Sequence, residues 1–158
     1  MKANETKVDK FLATNETTFA IPVYQRNYDW TLFQCKQLLH DIIETGKNDK
    51  TNAHFIGSIV YVHDDVYTAS GLTELTIIDG QQRLTTITLI YIALYRLAKE
   101  LDNQMLVNRI QKTYLINEFA PEAEKLKLKP TENNKEALRH ILNSTDGEEF
   151  KGYSKIHI

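Results

Sequence analysis

The sequence predicts an α+β domain, a small mixed sheet packed by helices. Three observations carry that reading. Residues 74–78 are β-branched or apolar with alternation at their start, residues 84–101 repeat apolar positions at helical spacing, and residues 125–129 alternate lysine with leucine. A chain of 158 residues fits one domain of ordinary size and can bury a real core.

Taken in order, residues 5–14 suit a short helix with Val8, Phe11 and Leu12 inward, and residues 19–23 suit a strand. Thr31 and Gln34 form a capping-box pattern for a helix over 32–45, whose Cys35, Leu38, Leu39, Ile42 and Ile43 share a face and which Gly46 closes. After a polar loop at 47–52, residues 55–62 read as a strand in which Gly57 and Ser58 permit close approach by a ligand or a neighbouring strand. The loop 64–72 leads back into the strand ending at Ile78, which makes an antiparallel hairpin. His63, Asp64 and Asp65 read there as a solvated loop rather than a metal cluster.

The run 84–95 is uncharged, rich in threonine and too short to span a bilayer, so the helix it opens is central and buried. A further helix over 105–116 turns Leu106, Val107, Ile110 and Tyr114 inward, and Pro121 with the acids around it marks a loop. Lys125, Lys127 and Lys129 form the wet face of a strand and discourage edge pairing, contact with a DNA backbone being the alternative. Thr131 caps a last helix containing Ala137, Leu138, Ile141 and Leu142. The domain therefore covers 1–143, and 144–158 is a polar tail.

The formal charge of −2 gives no strong global attraction to nucleic acid, so any DNA contact must be local. Cys35 is the one cysteine, which excludes a disulfide framework or a cysteine zinc site within one chain and suggests a buried inert thiol. His40, His54, His63, His140 and His157 show no paired metal-ligand spacing. The start of the chain lacks an apolar signal core, so the cytoplasm is the expected compartment, with no membrane partner.

Residues 77–86, IIDGQQRLTT, set a carboxylate, a glycine, two amides and a guanidinium on one strand-to-helix corner. Gly80 sits where the chain must turn. A helix start offers unpaired N–H groups and a partial positive charge, so an anion is welcome at Gln81, Gln82 and Arg83, and Arg83 adds a fork of donors suited to phosphate. Asp79 with Gln82 is also a capping-box pattern that needs no ligand. Since Asp79 would repel a phosphate directly, it is a candidate cap or a ligand for an intervening Mg²⁺. Upstream, IPVYQRNYDW packs Tyr24, Gln25, Arg26, Tyr28 and Trp30 into one segment that Pro22 keeps extended. Its aromatics suit packing, whereas Arg26 would give a polyphosphate a second guanidinium if the fold joined the two segments.

IPVYQRNYDW, then HFIGSIV, then IIDGQQRLTT, in this order and spacing, resembles the N-terminal domain of the GmrSD family of modification-dependent restriction proteins, within the ParB and sulfiredoxin-like superfamily. KLKLKP followed by a short helix extends the resemblance over nearly the whole chain. It implies a domain that binds and hydrolyses a nucleoside triphosphate with Mg²⁺. Carried over by position, Asp79, Gly80, Gln81, Gln82 and Arg83 stand at the phosphate-binding motif, with Tyr24, Gln25 and Arg26 as the second wall and Gly57 and Ser58 beside them.

In that reading Asp79, Gln81, Gln82 and Arg83 are catalytic, and Asp79 is the metal ligand. Relatives carry a helical region and a C-terminal HNH-type nuclease, so the ending at Ile158 reads as a break in a longer protein. DNA would then be met only through the full-length protein, with the nuclease regulated in cis or in trans. A homo-oligomer is compatible with the sequence. Two alternatives stand beside this reading: a non-catalytic DNA-binding or regulatory module, and a partner subunit that has lost activity.

Overall fold

The computed structural model describes residues 4–50, 53–63, 71–118, 120–122 and 125–144. The elements run α1 (Val8–Leu12), β1 (Thr17–Ala20), α2 (Leu32–Lys47), β2 (Val60–His63), β3 (Thr73–Asp79), α3 (Gln81–Glu100) and α4 (Gln104–Ile110). A π-helical turn (Gln111–Leu115) continues α4, and β4 (Leu128–Lys129) and α5 (Glu132–Asn143) complete the order. Among the described residues the strands form one sheet in the order β2-β3-β1-β4. It is mixed: β1 runs parallel to β3 and β4, and β2 pairs antiparallel with β3. The α+β class with a small mixed sheet is therefore the fold.

The core gathers apolar residues of β1, β3, α3 and α5 into one buried cluster. Phe19, Ile77, Leu84, Ile92 and Leu138 are fully buried, and Ala137, Ile141 and Leu142 of α5 join them as their spacing predicts. Two of the three buried threonines of α3 are satisfied by its own backbone, Thr86 Oγ1 donating to the Gln82 carbonyl at 2.8 Å and Thr88 Oγ1 to that of Leu84 at 3.0 Å. That is how a polar run becomes a central helix.

Several boundaries move. The first strand is 17–20 rather than 19–23, because Pro22 begins a loop instead of ending a strand. The hairpin of β2 and β3 forms, but β2 starts only at Val60, since Gly57 with φ +104° bends the chain before it. α2 has the Thr31 and Gln34 capping pair and runs through Gly46 to Lys47. Its apolar face is only partly used: Leu38 is buried and Cys35 packs on the core, while Leu39, Ile42 and Ile43 stay about 40% exposed. Similarly, Leu106 of α4 faces outward while Val107 is buried. Asp64 and Asp65, most of the hairpin loop, and the tail after Ser144 lie outside the described residues.

The lysine strand departs most from expectation. β4 holds only Leu128 and Lys129, and Lys127, expected in water, is buried. Its ammonium donates to the carbonyls of Leu12 at 3.1 Å, Thr14 at 3.0 Å and Thr113 at 2.7 Å, so it clasps the exit of α1 to the π-helical turn. Burial pushes its pKa below the usual lysine range. Three carbonyls near helix C-terminal ends are the partners that make a buried ammonium tolerable. Lys125 and Lys129 instead pair with Glu122 and Glu74 at 2.6 and 3.0 Å.

Lys127→Met strands those three carbonyls and is expected to lower unfolding stability by about 3 kcal/mol. Urea unfolding of the variant checks this; a loss under roughly 1 kcal/mol would show the clasp to be dispensable.

Candidate functional site at the start of helix α3

Gly80 is the N-cap of α3, at φ +90° and ψ 8°, a left-handed conformation that costs a side chain dearly. A Cβ there would also meet the Ser58 carbonyl oxygen at 3.0 Å and Ile59 at 3.1 Å, so the turn needs glycine twice over. A bulge between Val60 and Tyr61 sits beside it and carries residues 58–59 past the corner. No side chain caps the helix. The Asp79 and Gln82 capping box does not form, because Gly80 holds the cap position and Gln82 is turned to another loop. Asp79 is left 67% exposed, its carboxylate 3.8 Å from the Arg83 guanidinium.

Gln81, Gln82 and Arg83 are successive residues of one helical turn and so fan out around the axis. Each grips a different piece of chain. Gln81 Nε2 donates to the Arg26 carbonyl at 3.1 Å and to Gln25 Oε1 at 3.3 Å. Gln82 donates to the Asn27 carbonyl at 3.2 Å and accepts from the Asp29 N–H at 3.0 Å. Arg83 reaches the opposite way, Nη2 donating to the Ser58 carbonyl at 2.8 Å and Nη1 to that of Ile56 at 3.3 Å. Its guanidinium lies so close over Gly57 that a Cβ at that position would stand 1.6 Å from Nη1.

Under the loop 22–30 is a small cavity of about 10 Å³, room for one water. Arg26, Gln81, Gln82, Thr85, Thr131 and Asn134 contribute to its walls. The first turns of both α3 and α5 therefore meet at this place, beneath an arginine whose side chain is 70% exposed and bound only loosely to Asp29 at 3.6 Å. Tyr28 anchors the loop from below. Its hydroxyl bonds Thr86 Oγ1 at 2.9 Å and Cys35 Sγ at 3.1 Å, and burial, reinforced by the Cys35 contact, pushes its pKa above the ordinary tyrosine value.

The fold thus joins Arg26, Gln81 and Gln82 around one cavity, with Gln25 bonded to Gln81 but outside the cavity walls. Arg83, Gly57 and Ser58 form a separate clamp on the other side of the helix start. Tyr24 points into solvent, 72% exposed. Asn27, Thr131 and Asn134 were not singled out as site residues from sequence; Thr131 carries a helix-start signal, but its hydroxyl goes to Asn27 Oδ1 at 3.0 Å, across 104 positions of chain that local patterns do not span. Among the described residues no group of three or more His, Cys, Asp or Glu side chains gathers as a metal site. No described helix is long and apolar enough to cross a membrane.

A family model described as GmrSD restriction endonuclease, N-terminal domain, matches residues 8–157. No curated protein matches the chain.

Removing the clamp should cost the fold itself. Arg83→Ala loses two hydrogen bonds from a charged donor and is expected to cost about 3 kcal/mol, a fall of roughly 6–12 °C in Tm, which Arg83→Lys fails to restore because one ammonium lacks the planar fork. Gly57→Ala should be worse than Gly71→Ala, where φ is also positive at +72° but nothing lies within 4 Å of the added carbon. Equal melting temperatures for the two glycine variants would refute the clamp.

Proposed function

The chain belongs to the GmrSD restriction endonuclease N-terminal domain family, and from that premise we propose that the corner at Gly80 binds a nucleoside triphosphate with Mg²⁺ and hydrolyses it slowly. A domain of a restriction protein needs a signal that governs when DNA is cut. Nucleotide turnover supplies one, relayed to a nuclease acting in cis or in trans.

The observation that carries the reading is the meeting of two helix N-termini under Arg26. The backbone of α3 and α5 presents partial positive charge there, and Gln81 and Gln82 hold amide donors beside it. Phosphate oxygens answer all of these groups at once. Arg26, exposed and held only by a 3.6 Å ion pair to Asp29, turns inward in this reading and offsets the charge that develops as the terminal phosphate departs.

Either glutamine amide suits an attacking water, donating through Nε2 or accepting through Oε1. Arg83 acts at one remove, fixing the 56–58 wall against which the corner is built. Asp79 is an exposed carboxylate whose 3.8 Å contact with Arg83 lies on the clamp side of the helix start, so it would meet a cation at the cavity only after swinging away from that guanidinium. One carboxylate plus phosphate oxygens is a common donor set for Mg²⁺. Bound there, the cation would neutralise phosphate charge, and Asp79 would be its protein ligand.

Binding at DNA phosphates instead is a weaker fit, since the chain carries a formal charge of −2 and its strand lysines are paired or buried.

Calorimetry with each of the four ribonucleoside triphosphates and Mg²⁺ tests the reading, alongside an assay for released phosphate. Arg26→Ala should weaken binding roughly 10- to 100-fold while leaving the circular dichroism spectrum and Tm unchanged, because the side chain is exposed. Salt-sensitive DNA binding without any response to nucleotide would transfer the function to the rival class.

A further inference from the structure

We infer that the loop 22–27 is a self-inhibiting strap: its own carbonyl oxygens occupy the donors that an anionic ligand needs, and it must lift before the site can load. The inference rests on the nucleotide reading above and concerns how that site is regulated.

The Arg26 and Asn27 carbonyls accept from the Gln81 and Gln82 amides, and the cavity left beneath is water-sized. No triphosphate enters a space of about 10 Å³. The strap is pinned firmly at both ends. On one side Ile21 N–H donates to the Lys129 carbonyl at 2.9 Å within the sheet, and on the other Tyr28 is buried with its hydroxyl bonded to Thr86. Between these anchors the attachments are mostly single side-chain bonds: Gln25 Nε2 to the Ile78 carbonyl at 2.9 Å, the two glutamine latches, and Thr131 Oγ1 to Asn27 Oδ1 at 3.0 Å. Val23 and Tyr24 are 84% and 72% exposed and add no core packing to hold it down.

Every latch donor is thus engaged by a neutral acceptor. Anionic oxygens form stronger, charge-assisted bonds with the same donors, so a polyphosphate displaces the strap instead of joining it. Affinity is then reduced by the fraction of molecules in which the strap is already raised. A change that loosens the strap without touching a latch amide should therefore tighten binding, the opposite of what loss of a contact residue does.

Asn27→Ala removes the tie to Thr131 and keeps the Asn27 carbonyl. Hydrogen exchange of wild type and variant, with inorganic tripolyphosphate plus Mg²⁺ as the calorimetric probe, gives the test. Thr131→Val breaks the same tie from the other side, together with the 3.2 Å bond that Asn134 Nδ2 donates to Thr131 Oγ1, so an effect shared by both variants belongs to the tie. Exchange of the Gln25 N–H, bonded to the Pro22 carbonyl, and of the Asp29 N–H, held by Gln82 Oε1, should quicken at least 5-fold in each variant, and tripolyphosphate should bind at least 3-fold more tightly. Unchanged exchange, or weaker binding in both variants with an unaltered Tm, overturns the strap and leaves nucleotide binding standing. A strap that loosens while neither wild type nor variants bind tripolyphosphate or any nucleoside triphosphate overturns the inference together with the reading beneath it.

Discussion

The first turn of α3 holds the site together because its side chains are shared among segments that have no other strong reason to meet. Residues 22–30 and 55–59 are loops, neither paired as strands nor wound as helices, and their carbonyls need partners. Gln81, Gln82 and Arg83 satisfy five such contacts to backbone groups from one helix end. The turn can do so because Gly80 adopts a conformation that lets β3 run directly into the helix, with Ile77 in the core one residue pair before it. Strand, glycine and helix start are one mechanical unit.

A polar motif can therefore serve architecture and chemistry with the same atoms. The amides that look suited to phosphate are, in this state, joining the chain to itself. Arg83 shows the division most clearly: its guanidinium is engaged by two carbonyls on the side away from the cavity, whereas Arg26 keeps an exposed cation above it. The two arginines that the sequence suggested as one pair have different tasks.

Much of this was legible beforehand, and the residues show why. Gly80 betrayed the turn, the threonine-rich run betrayed a buried helix, and the spacing of Ala137, Leu138, Ile141 and Leu142 gave α5 its inner face. What escaped depends on distance along the chain. Lys127 looks solvent-facing in a lysine and leucine alternation, and only the arrival of α1 and the π-helical turn makes it a buried clasp. Leu39, Ile42 and Ile43 look like core by periodicity, yet among the described residues α2 buries Leu38 and packs Cys35 on the core while those three stay exposed. Local pattern reports which side of an element is apolar, not whether anything arrives to cover it.

The contact between Gly57 and Arg83 has a consequence for how such a sequence can drift. A side chain at 57 would stand where the guanidinium of Arg83 lies, so replacing the glycine must first move the arginine off the 56 and 58 carbonyls. The two positions, 26 apart in the chain, are thus coupled in one direction: the reach of the arginine depends on the bareness of residue 57.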